Sequence, residues 1–272
     1  MTDIERLQTV ARNLRAHAVR MVHTARASHL GSCLSMADIL ACLYWKVMKV
    51  DPADPGLADR DRFILSKGHG AAILYAALAE RGFFSVEELH SYCQNGARLH
   101  GHATSGVPGV ELSSGSLGHG LPVGCGIALA RKRSGLPGRV FVMLSDGELD
   151  EGSNWEAFLF APQHRLGNLV AIIDYNKIQS FGRTRDVLDI EPLADKLRAF
   201  RWDVREVDGN NMQQLCELFE SLPLTADRPI VVIAHTIKGK GISFMEDQLL
   251  WHYKSPSDEQ LAIALTELGV TA

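Results

Sequence analysis

The segment between residues 140 and 177 restricts the fold more than any other part of the sequence. It contains two short apolar runs, residues 140–144 and 169–173, on either side of a stretch with helical periodicity, residues 153–165. This order predicts a strand, a crossover helix and a second, parallel strand. Because such a connection brings the carboxyl ends of both strands to one sheet edge, where open α/β sheets bind ligands, we expect the binding site there.

Oxygen ligands for a hard cation follow both predicted strands. The first run ends at Ser145-Asp146-Gly147, and the second ends at Asp174-Tyr175-Asn176. Asp146 and Asn176 are too few to enclose a metal by themselves. They suit Mg²⁺, which keeps water ligands and takes further oxygens from a substrate or cofactor phosphate.

Helical and strand patterns alternate along the rest of the chain. The predicted helices are residues 3–25, 35–49, 71–81, 121–133, 153–165, 192–200, 212–221 and 258–268. The predicted strands are residues 62–66, 140–144, 169–173, 203–207 and 230–234. Ser35 and Asp38 resemble a capping box at the start of the second helix. The pattern predicts an α/β fold, with a doubly wound, mainly parallel sheet flanked by helices.

The length and composition of the chain are typical of one part of a soluble enzyme. We expect a single domain over residues 1–272, with a helical segment at 1–50 and an extension at 236–272. A net charge of −4 gives no nucleic-acid footprint. The N-terminus is not a signal peptide, and no run approaches the length that spans a bilayer. The five scattered cysteines predict reduced thiols and a cytoplasmic protein.

Four further motifs identify a family resemblance. They are ASHLGSCLSMADIL at residues 27–40, LSKGHG at 65–70, HGHATSGVPGVELSSGSLGHGL at 100–121 and KGKGISFMEDQLLWHYKSP at 238–256. With Asp146, Glu151 and Asn176, which resemble the diphosphate-anchoring motif of thiamine-diphosphate enzymes, they follow the order found in transketolases. The chain is similar to the N-terminal, diphosphate-binding half of transketolase from about residue 14 to residue 256. One departure is Ser145, where that motif usually has glycine.

The resemblance implies thiamine diphosphate and Mg²⁺ as cofactors for transfer of a two-carbon ketol unit. The residues that it places in catalysis are His29, His69, His102 and His252. Those that it places in cofactor binding are Lys67, Gly115, Leu117, Gly118, Gly147, Glu151, Asn176 and Lys238. The metal ligands would be Asp146, Asn176 and a backbone carbonyl at Ile178, and the sugar would contact His29, His252 and Lys254. Histidine suits proton exchange with sugar hydroxyls because its ordinary pKa lies near neutral pH.

The loop at residues 113–120 departs from the family pattern at two positions. Its glycines allow close backbone approach, and the helix that follows offers free N–H groups. Ser116 replaces a proline and His119 replaces a glutamine, while Gly115, Leu117 and Gly118 are kept. A cofactor role for the loop follows from the resemblance. Whether His119 belongs to the site or only caps the helix stays open.

The pyrimidine-binding half of a transketolase is absent from this sequence. Its glutamate activates the cofactor, so we expect this chain to be inactive without a separate C-terminal subunit. A natural subunit is favoured over a truncated chain. We expect a homodimer of this chain within an α2β2 assembly that acts on sugar phosphates, with interfaces on the helices at 121–133 and 154–165.

Two alternatives to a transketolase subunit remain. The α-subunit of a 2-oxo acid dehydrogenase or decarboxylase shares the Asp146 and Asn176 motif. The SKGHG motif and the histidine-rich loop favour sugar chemistry instead. A non-catalytic regulatory subunit would need the metal ligands but not His29, His69 and His102. The sequence does not identify the donor and acceptor sugars.

Overall fold

A parallel sheet forms the centre of the protein. The computed structural model describes residues 1–223 and 227–270. The strands are β1 (Arg62–Leu65), β2 (Val140–Ser145), β3 (Leu169–Tyr175), β4 (Asp203–Asp208) and β5 (Ile230–His235). Their order in the sheet is β1-β2-β3-β5-β4, and each neighbouring pair is parallel. The predicted parallel α/β fold is confirmed, and each of these strands lies within two residues of its predicted bounds.

Helices cover both faces of the sheet. They are α1 (Asp3–Ala25), α2 (Leu30–Leu34), α3 (Ala37–Cys42), α4 (Ala71–Arg81), α5 (Gly120–Arg133), α6 (Gly152–Gln163), α7 (Thr184–Val187), α8 (Leu193–Ala199), α9 (Met212–Ser221) and α10 (Asp258–Glu267). Apolar residues of α1, α3, α4 and α9 pack on one face, and those of α5, α6 and α8 pack on the other. Every residue of β2 and β3 is therefore buried, as expected for central strands of a parallel sheet.

The predicted helix at residues 35–49 is wrong in its bounds and its start. The chain instead forms α2, α3 and a π-helical turn at Leu43–Val47. Ser35 is the C-cap residue of α2, and its hydroxyl donates a hydrogen bond to Asp174 at 2.6 Å, so it does not start a helix as predicted. Asp38 binds the guanidinium of Arg15 at 2.5 Å. Partners distant in sequence override the local capping pattern at both positions.

The same segment also corrects the expectation that no run is long enough to cross a membrane. Leu30–Val47 is long and apolar enough by composition to do so. Of this stretch, 83% is buried inside the protein, where it packs between α1, α4 and α9. It is therefore a core segment in this fold, and its apolar character follows from that position.

The C-terminal extension returns to the sheet edge. After β5 the chain forms a short 3₁₀ turn at Leu249–His252, and α10 then packs against α1. The backbone N–H of His29 donates to the carbonyl oxygen of His252 at 2.9 Å. The extension thereby brings the WHYK motif to the start of α2.

Candidate active site

The two side chains predicted to bind a metal, Asp146 and Asn176, lie at the ends of β2 and β3. Asp146 is buried, and its carboxylate accepts hydrogen bonds from the backbone N–H groups of Gly147 at 2.8 Å and Lys177 at 2.5 Å. Asn176 Oδ1 accepts from the N–H of Ile178 at 3.1 Å. These bonds hold both side chains at one edge of the sheet, as the crossover connection predicts.

A cavity of about 480 Å³ opens at this edge. Most of the residues that the sequence singled out line it, and they come from distant parts of the chain. They are His29, His69, His102, Gly115, Leu117, Asp146, Gly147, Glu151, Asn176, Ile178, Lys238 and His252. The fold therefore brings the separate sequence motifs together in one site.

Four histidines form a cluster in the cavity. The ring centroid of His29 lies 5.1 Å from that of His69, 6.1 Å from His102 and 4.9 Å from His252. The Nδ1 atom of His29 is buried and has no hydrogen-bond partner among the described residues. An unpaired ring nitrogen in a cavity wall is available to a ligand, because buried polar groups are normally hydrogen-bonded.

Burial keeps three of these histidines, His29, His69 and His252, neutral near pH 7. It lowers the pKa of His29 to about 4, with smaller effects of His102 and Lys238. Burial and the nearby Lys238 cation lower the pKa of His252 to about 3. The pKa of His69 is also well below its ordinary value, chiefly through burial. A neutral imidazole can accept a proton at one nitrogen and donate at the other.

Lys238 connects the histidine cluster to the turn at residues 176–178, which carries two of the predicted metal ligands. Its Nζ donates to the carbonyl oxygen of Ile178 at 2.7 Å and lies 3.0 Å from His252 Nδ1. Burial lowers the pKa of Lys238 to about 8. A carbonyl oxygen has two lone pairs, so the bond from Lys238 leaves Ile178 one for a metal.

Three predicted site residues do not line the cavity. Lys67 is fully buried and forms an ion pair with Asp174, and it also donates to the Ser32 carbonyl at 2.8 Å. Gly118 is buried and is not one of the residues that line the cavity. Lys254 is exposed on the surface beyond the 3₁₀ turn. Their roles in ligand binding stay predictions from the resemblance.

Glu148 is a buried carboxylate that sequence reasoning missed. Its Oε1 accepts from the Ser66 hydroxyl at 2.5 Å and from the N–H of Gly118 at 2.8 Å. Burial raises the pKa of this carboxyl. Glu148 thus ties the end of β1 and the loop before α5 to the turn after β2. Its place two residues after Asp146 was a usable signal.

Other residues of the cavity wall were also missed. They are Ser32, Asp150, Gln179, Ser180, Phe181, Val187 and Tyr253. The loop after Asn176 supplies three of them, Gln179, Ser180 and Phe181, and it carries no periodicity from which its path could be inferred. The hydroxyl of Tyr253 donates to the Ser180 carbonyl at 2.7 Å, which joins this loop to the C-terminal extension.

Glycine is required at two positions of the loop before α5. Gly115 has φ +153°, and a Cβ there would lie 2.7 Å from the ring of His102. Gly118 has φ +84°, and a Cβ there would lie 2.5 Å from the Ser153 hydroxyl. The ring of His119 is exposed, and its Nδ1 lies 3.2 Å from the Ser116 carbonyl oxygen and 3.0 Å from that of Leu117. His119 therefore contacts the loop itself and does not line the cavity.

The oxygen ligands at this edge fit a magnesium ion that is also bound by phosphate oxygens of a ligand. The described residues contain no group of three or more His, Cys, Asp or Glu side chains placed to hold a metal. Asp146, Asn176 and the Ile178 carbonyl are hard oxygen donors, which Mg²⁺ prefers.

The fold and the cavity together define an α/β protein with its ligand site at the carboxyl ends of parallel strands. Residues 6–271 match the family model described as transketolase, thiamine diphosphate binding domain. The chain belongs to the transketolase family, in the part that binds thiamine diphosphate. The resemblance seen in the sequence motifs is confirmed, and this match favours it over the 2-oxo acid alternative.

Two relatives show similarity over almost their whole length. A subunit of the apulose-4-phosphate transketolase of Phocaeicola vulgatus is 41% identical over 267 residues, which are 98% of this chain and 95% of the relative. The 6-deoxy-6-sulfo-D-fructose transketolase subunit SqwG of a Clostridium species is 40% identical, with 96% of each chain covered. The chain thus matches transketolase subunits from end to end, and the prediction of an N-terminal transketolase subunit is confirmed.

Complete transketolases share the fold but are longer. The transketolase of Leishmania mexicana superposes with a TM-score of 0.92 at 30% identity. All of this chain is covered, but only 42% of that transketolase is. The chain therefore spans less than half the length of the solved transketolase.

Proposed function

We propose that this chain is the cofactor-binding subunit of a transketolase that moves a two-carbon ketol unit between sugars. The observation that carries this proposal is the single cavity in which four histidines face the metal ligands Asp146 and Asn176. A protein that only bound the cofactor would need the two oxygen ligands but no cluster of neutral imidazoles. When bound, thiamine diphosphate supplies the electron sink for carbon–carbon bond cleavage.

The metal-ligand turn would hold Mg²⁺ and the diphosphate. Asp146, Asn176 and the Ile178 carbonyl would bind the ion, and Lys238 would place a positive charge beside the anionic group. Lys67 and Glu148 act from behind the wall, because they fix the strand ends and the loop before α5. Gly147 and Glu151 line the same part of the cavity.

The histidine cluster would exchange protons with the sugar. His29, His69 and His102 surround the centre of the cavity, and His252 closes it from the C-terminal extension. Each of the three with a lowered pKa is neutral at pH 7, so it can accept a proton from a sugar hydroxyl and return it. Water is displaced from this region when a sugar occupies it.

The substrate that we propose is a ketose with an anionic group. One relative's name specifies apulose-4-phosphate, and another specifies 6-deoxy-6-sulfo-D-fructose. Both names contain a phosphate or a sulfo group. The free thiols of all five cysteines are compatible with the cytoplasm, where we propose that the reaction takes place.

A separate C-terminal subunit would complete the site. The relatives that match this chain over almost their whole length are named as transketolase subunits, which supports a divided enzyme. We propose an α2β2 assembly that contains a homodimer of this chain. To test this, the purified chain is assayed for ketol transfer from xylulose 5-phosphate to an aldose phosphate, with thiamine diphosphate and Mg²⁺, alone and with the subunit encoded by the neighbouring reading frame. We expect turnover only in the mixture. Activity of the chain alone, free of host transketolase, would refute the divided site.

A further inference from the structure

Ser145 places a hydroxyl where the diphosphate-anchoring motif of the family usually has glycine. It is the last residue of β2, directly before the predicted metal ligand Asp146, and it lines the cavity. The described residues with positive φ do not include Ser145, so the backbone at this position does not require glycine. The position can therefore carry a side chain, and serine adds a polar group that glycine lacks.

The sheet determines which way the Ser145 side chain points. Side chains alternate along a strand, so Ser145 shares a face of β2 with Met143, which packs in the core cluster that contains α1, α3 and α4. Its register partner on β3 is Asp174, which forms an ion pair with Lys67, two residues before His69. The Ser145 side chain therefore lies on the same side of the sheet as the segment that carries His69.

The hydroxyl of Ser145 is only partly used within the protein. Its oxygen accepts a hydrogen bond from the backbone N–H of Glu148 at 3.2 Å, which closes the turn after β2. A hydroxyl can also donate one hydrogen bond, and no oxygen of the described residues accepts one from Ser145. The hydroxyl proton is therefore available to a ligand in the cavity.

The two carboxylates closest to Ser145 in the sequence are held by other donors. Glu148 accepts from the Ser66 hydroxyl and from the backbone N–H groups of Gly118 and Ser145. Each oxygen of Asp146 accepts one backbone N–H. An anion that entered the cavity beside Asp146 would thus find an O–H donor that no neighbouring carboxylate occupies.

We propose that the Ser145 hydroxyl donates a hydrogen bond to a diphosphate oxygen of the bound cofactor. The identity of this anion as thiamine diphosphate rests on the proposed function. A Mg²⁺ ion at Asp146 takes further oxygens from phosphate, which brings those oxygens to the residue next to Asp146. Hydrogen bonds to charged oxygens are stronger than those between neutral groups. Ser145 is thus a binding residue, and its contact is one that the glycine of the family motif cannot make.

The test measures the affinity for thiamine diphosphate by isothermal titration calorimetry at saturating Mg²⁺, in the complex of this chain with its C-terminal subunit. Ser145→Ala and Ser145→Gly both remove the hydroxyl, and the second restores the usual residue of the family. We expect each variant to bind the cofactor about tenfold more weakly, because a charge-assisted hydrogen bond is lost. Ser145→Thr keeps a hydroxyl and should bind the cofactor nearly as tightly as the wild type.

A second probe separates this contact from a role in the turn. Inorganic pyrophosphate lacks the rings of the cofactor, and its affinity in competition should fall by the same factor in Ser145→Ala. Urea unfolding without cofactor measures what the hydrogen bond from Glu148 contributes to stability. If the Ala and Gly variants lose stability but keep both affinities within about twofold, Ser145 only holds the turn and the proposal is overturned. Weaker cofactor binding with unchanged pyrophosphate affinity would also overturn it, because the hydroxyl would then contact another part of the ligand.

The matched control is Ser221→Ala at the exposed end of α9. The Ser221 hydroxyl donates to the Leu218 carbonyl at 2.7 Å, so this variant also removes a locally bonded hydroxyl, and we expect no change in either affinity. These binding measurements need no turnover. A wild-type complex that binds the cofactor without ketol transfer would refute the proposed function and leave the comparison of variants intact. A wild-type complex without affinity for thiamine diphosphate would overturn both.

Discussion

Asp174 illustrates how single residues at this sheet edge position others without contacting a ligand. It is fully buried, and its carboxylate accepts hydrogen bonds from Ser35, Thr236 and Lys67. A buried charge is tolerated only when it is paired and hydrogen-bonded, and here all the partners come from other segments of the chain. The sequence showed an Asp174-Tyr175-Asn176 run, but only the fold shows that its first residue binds Lys67.

The metal-ligand assignment predicts the behaviour of Asp146→Ala. In the assembled enzyme we expect Mg²⁺-dependent binding of thiamine diphosphate to weaken by a factor on the order of a hundred or more, since even loss of a residue that only supports a metal ligand costs 10–100-fold. Isothermal titration calorimetry with and without Mg²⁺ measures this. Asn176→Asp keeps an oxygen ligand and should be milder. Equal cofactor affinity in wild type and Asp146→Ala would show that the metal binds elsewhere.

The histidine cluster predicts a different result for His69→Ala. Loss of one general acid–base group lowers rates by about 10²–10⁴-fold, so we expect ketol transfer to fall by this factor while cofactor affinity is kept. Steady-state kinetics with the partner subunit present provide the measurement. His90→Ala, on an exposed turn, is the matched control. A wild-type rate in the His69 variant would limit that residue to a structural role.

The low pKa of His29 predicts how stability depends on pH. In the unfolded chain histidine has a pKa of about 6.5, whereas in the folded protein burial lowers that of His29 to about 4. The unfolded state therefore binds the proton first, and His29 makes the free energy of unfolding fall as pH drops from about 6.5 to about 4. Above that window it has no effect.

The measurement compares His29→Asn with the wild type by urea unfolding across this pH range. Asparagine tolerates the left-handed backbone that His29 adopts at φ +69°. We expect the variant to lose less stability than the wild type between pH 6.5 and pH 4. Other groups titrate in both proteins, so the difference between the two curves isolates His29. Parallel curves would contradict the assigned pKa.

At the scale of elements, the loop before α5 connects the cofactor cavity to the sheet. Gly118 donates its N–H to Glu148, and its carbonyl accepts the Ser153 hydroxyl at 2.7 Å. The loop is therefore fixed from behind by the turn after β2 and by the first turn of α6. Close packing of three elements at one residue explains why a side chain has no room there.

This packing predicts opposite effects of alanine at two glycines of the same region. Gly118→Ala should lower the free energy of unfolding by about 1–2 kcal/mol from the backbone conformation alone, with further loss from contact with Ser153. Gly126→Ala on α5, where a Cβ meets nothing within 4 Å, should raise it by about 0.5–1 kcal/mol. Chemical denaturation measures both, and a neutral Gly118→Ala would show that the loop can move.

The elements also show what local pattern can and cannot predict. The strands were predictable because β-branched residues in short runs have few alternatives, and the turns after two of them carry the predicted metal ligands Asp146 and Asn176. The break between α2 and α3 was not, because Ser35 and Asp38 match a capping pattern that distant partners override. The cavity wall at Gln179 and Phe181 was also missed, since loops without periodicity follow paths set by tertiary contacts.

At the scale of the whole molecule, the order of motifs predicted the site better than any single motif did. His29, His69, His102 and His252 come from four segments, and no local rule places them together. The parallel sheet does so, because all of its strands end at the same edge. The sequence did not show which apolar side chains of the outer helices stay exposed to a partner. The structure shows exposed apolar side chains on α5 and α6, where we expected an interface.

These exposed apolar side chains on α5 and α6 allow the expected homodimer interface to be tested. Leu159 is 60% exposed, and Phe160 and Val123 are each 38% exposed. If these side chains were buried in a dimer interface with more than about 1,000 Å² of buried surface, they would stabilise self-association. We therefore expect the chain to sediment as a homodimer and Leu159→Lys to sediment as a monomer, because a charge would be buried in the interface without a partner.

Sedimentation velocity at several protein concentrations tests this directly. Ile263→Lys is the matched control, since Ile263 is 49% exposed on α10, away from α5 and α6. It should leave the homodimer intact. If Leu159→Lys also remains a dimer, the two helices do not form the interface. In that case their exposed residues are free to contact the C-terminal subunit, and the same variant should then weaken binding of that subunit in a pull-down with wild-type chain as the reference.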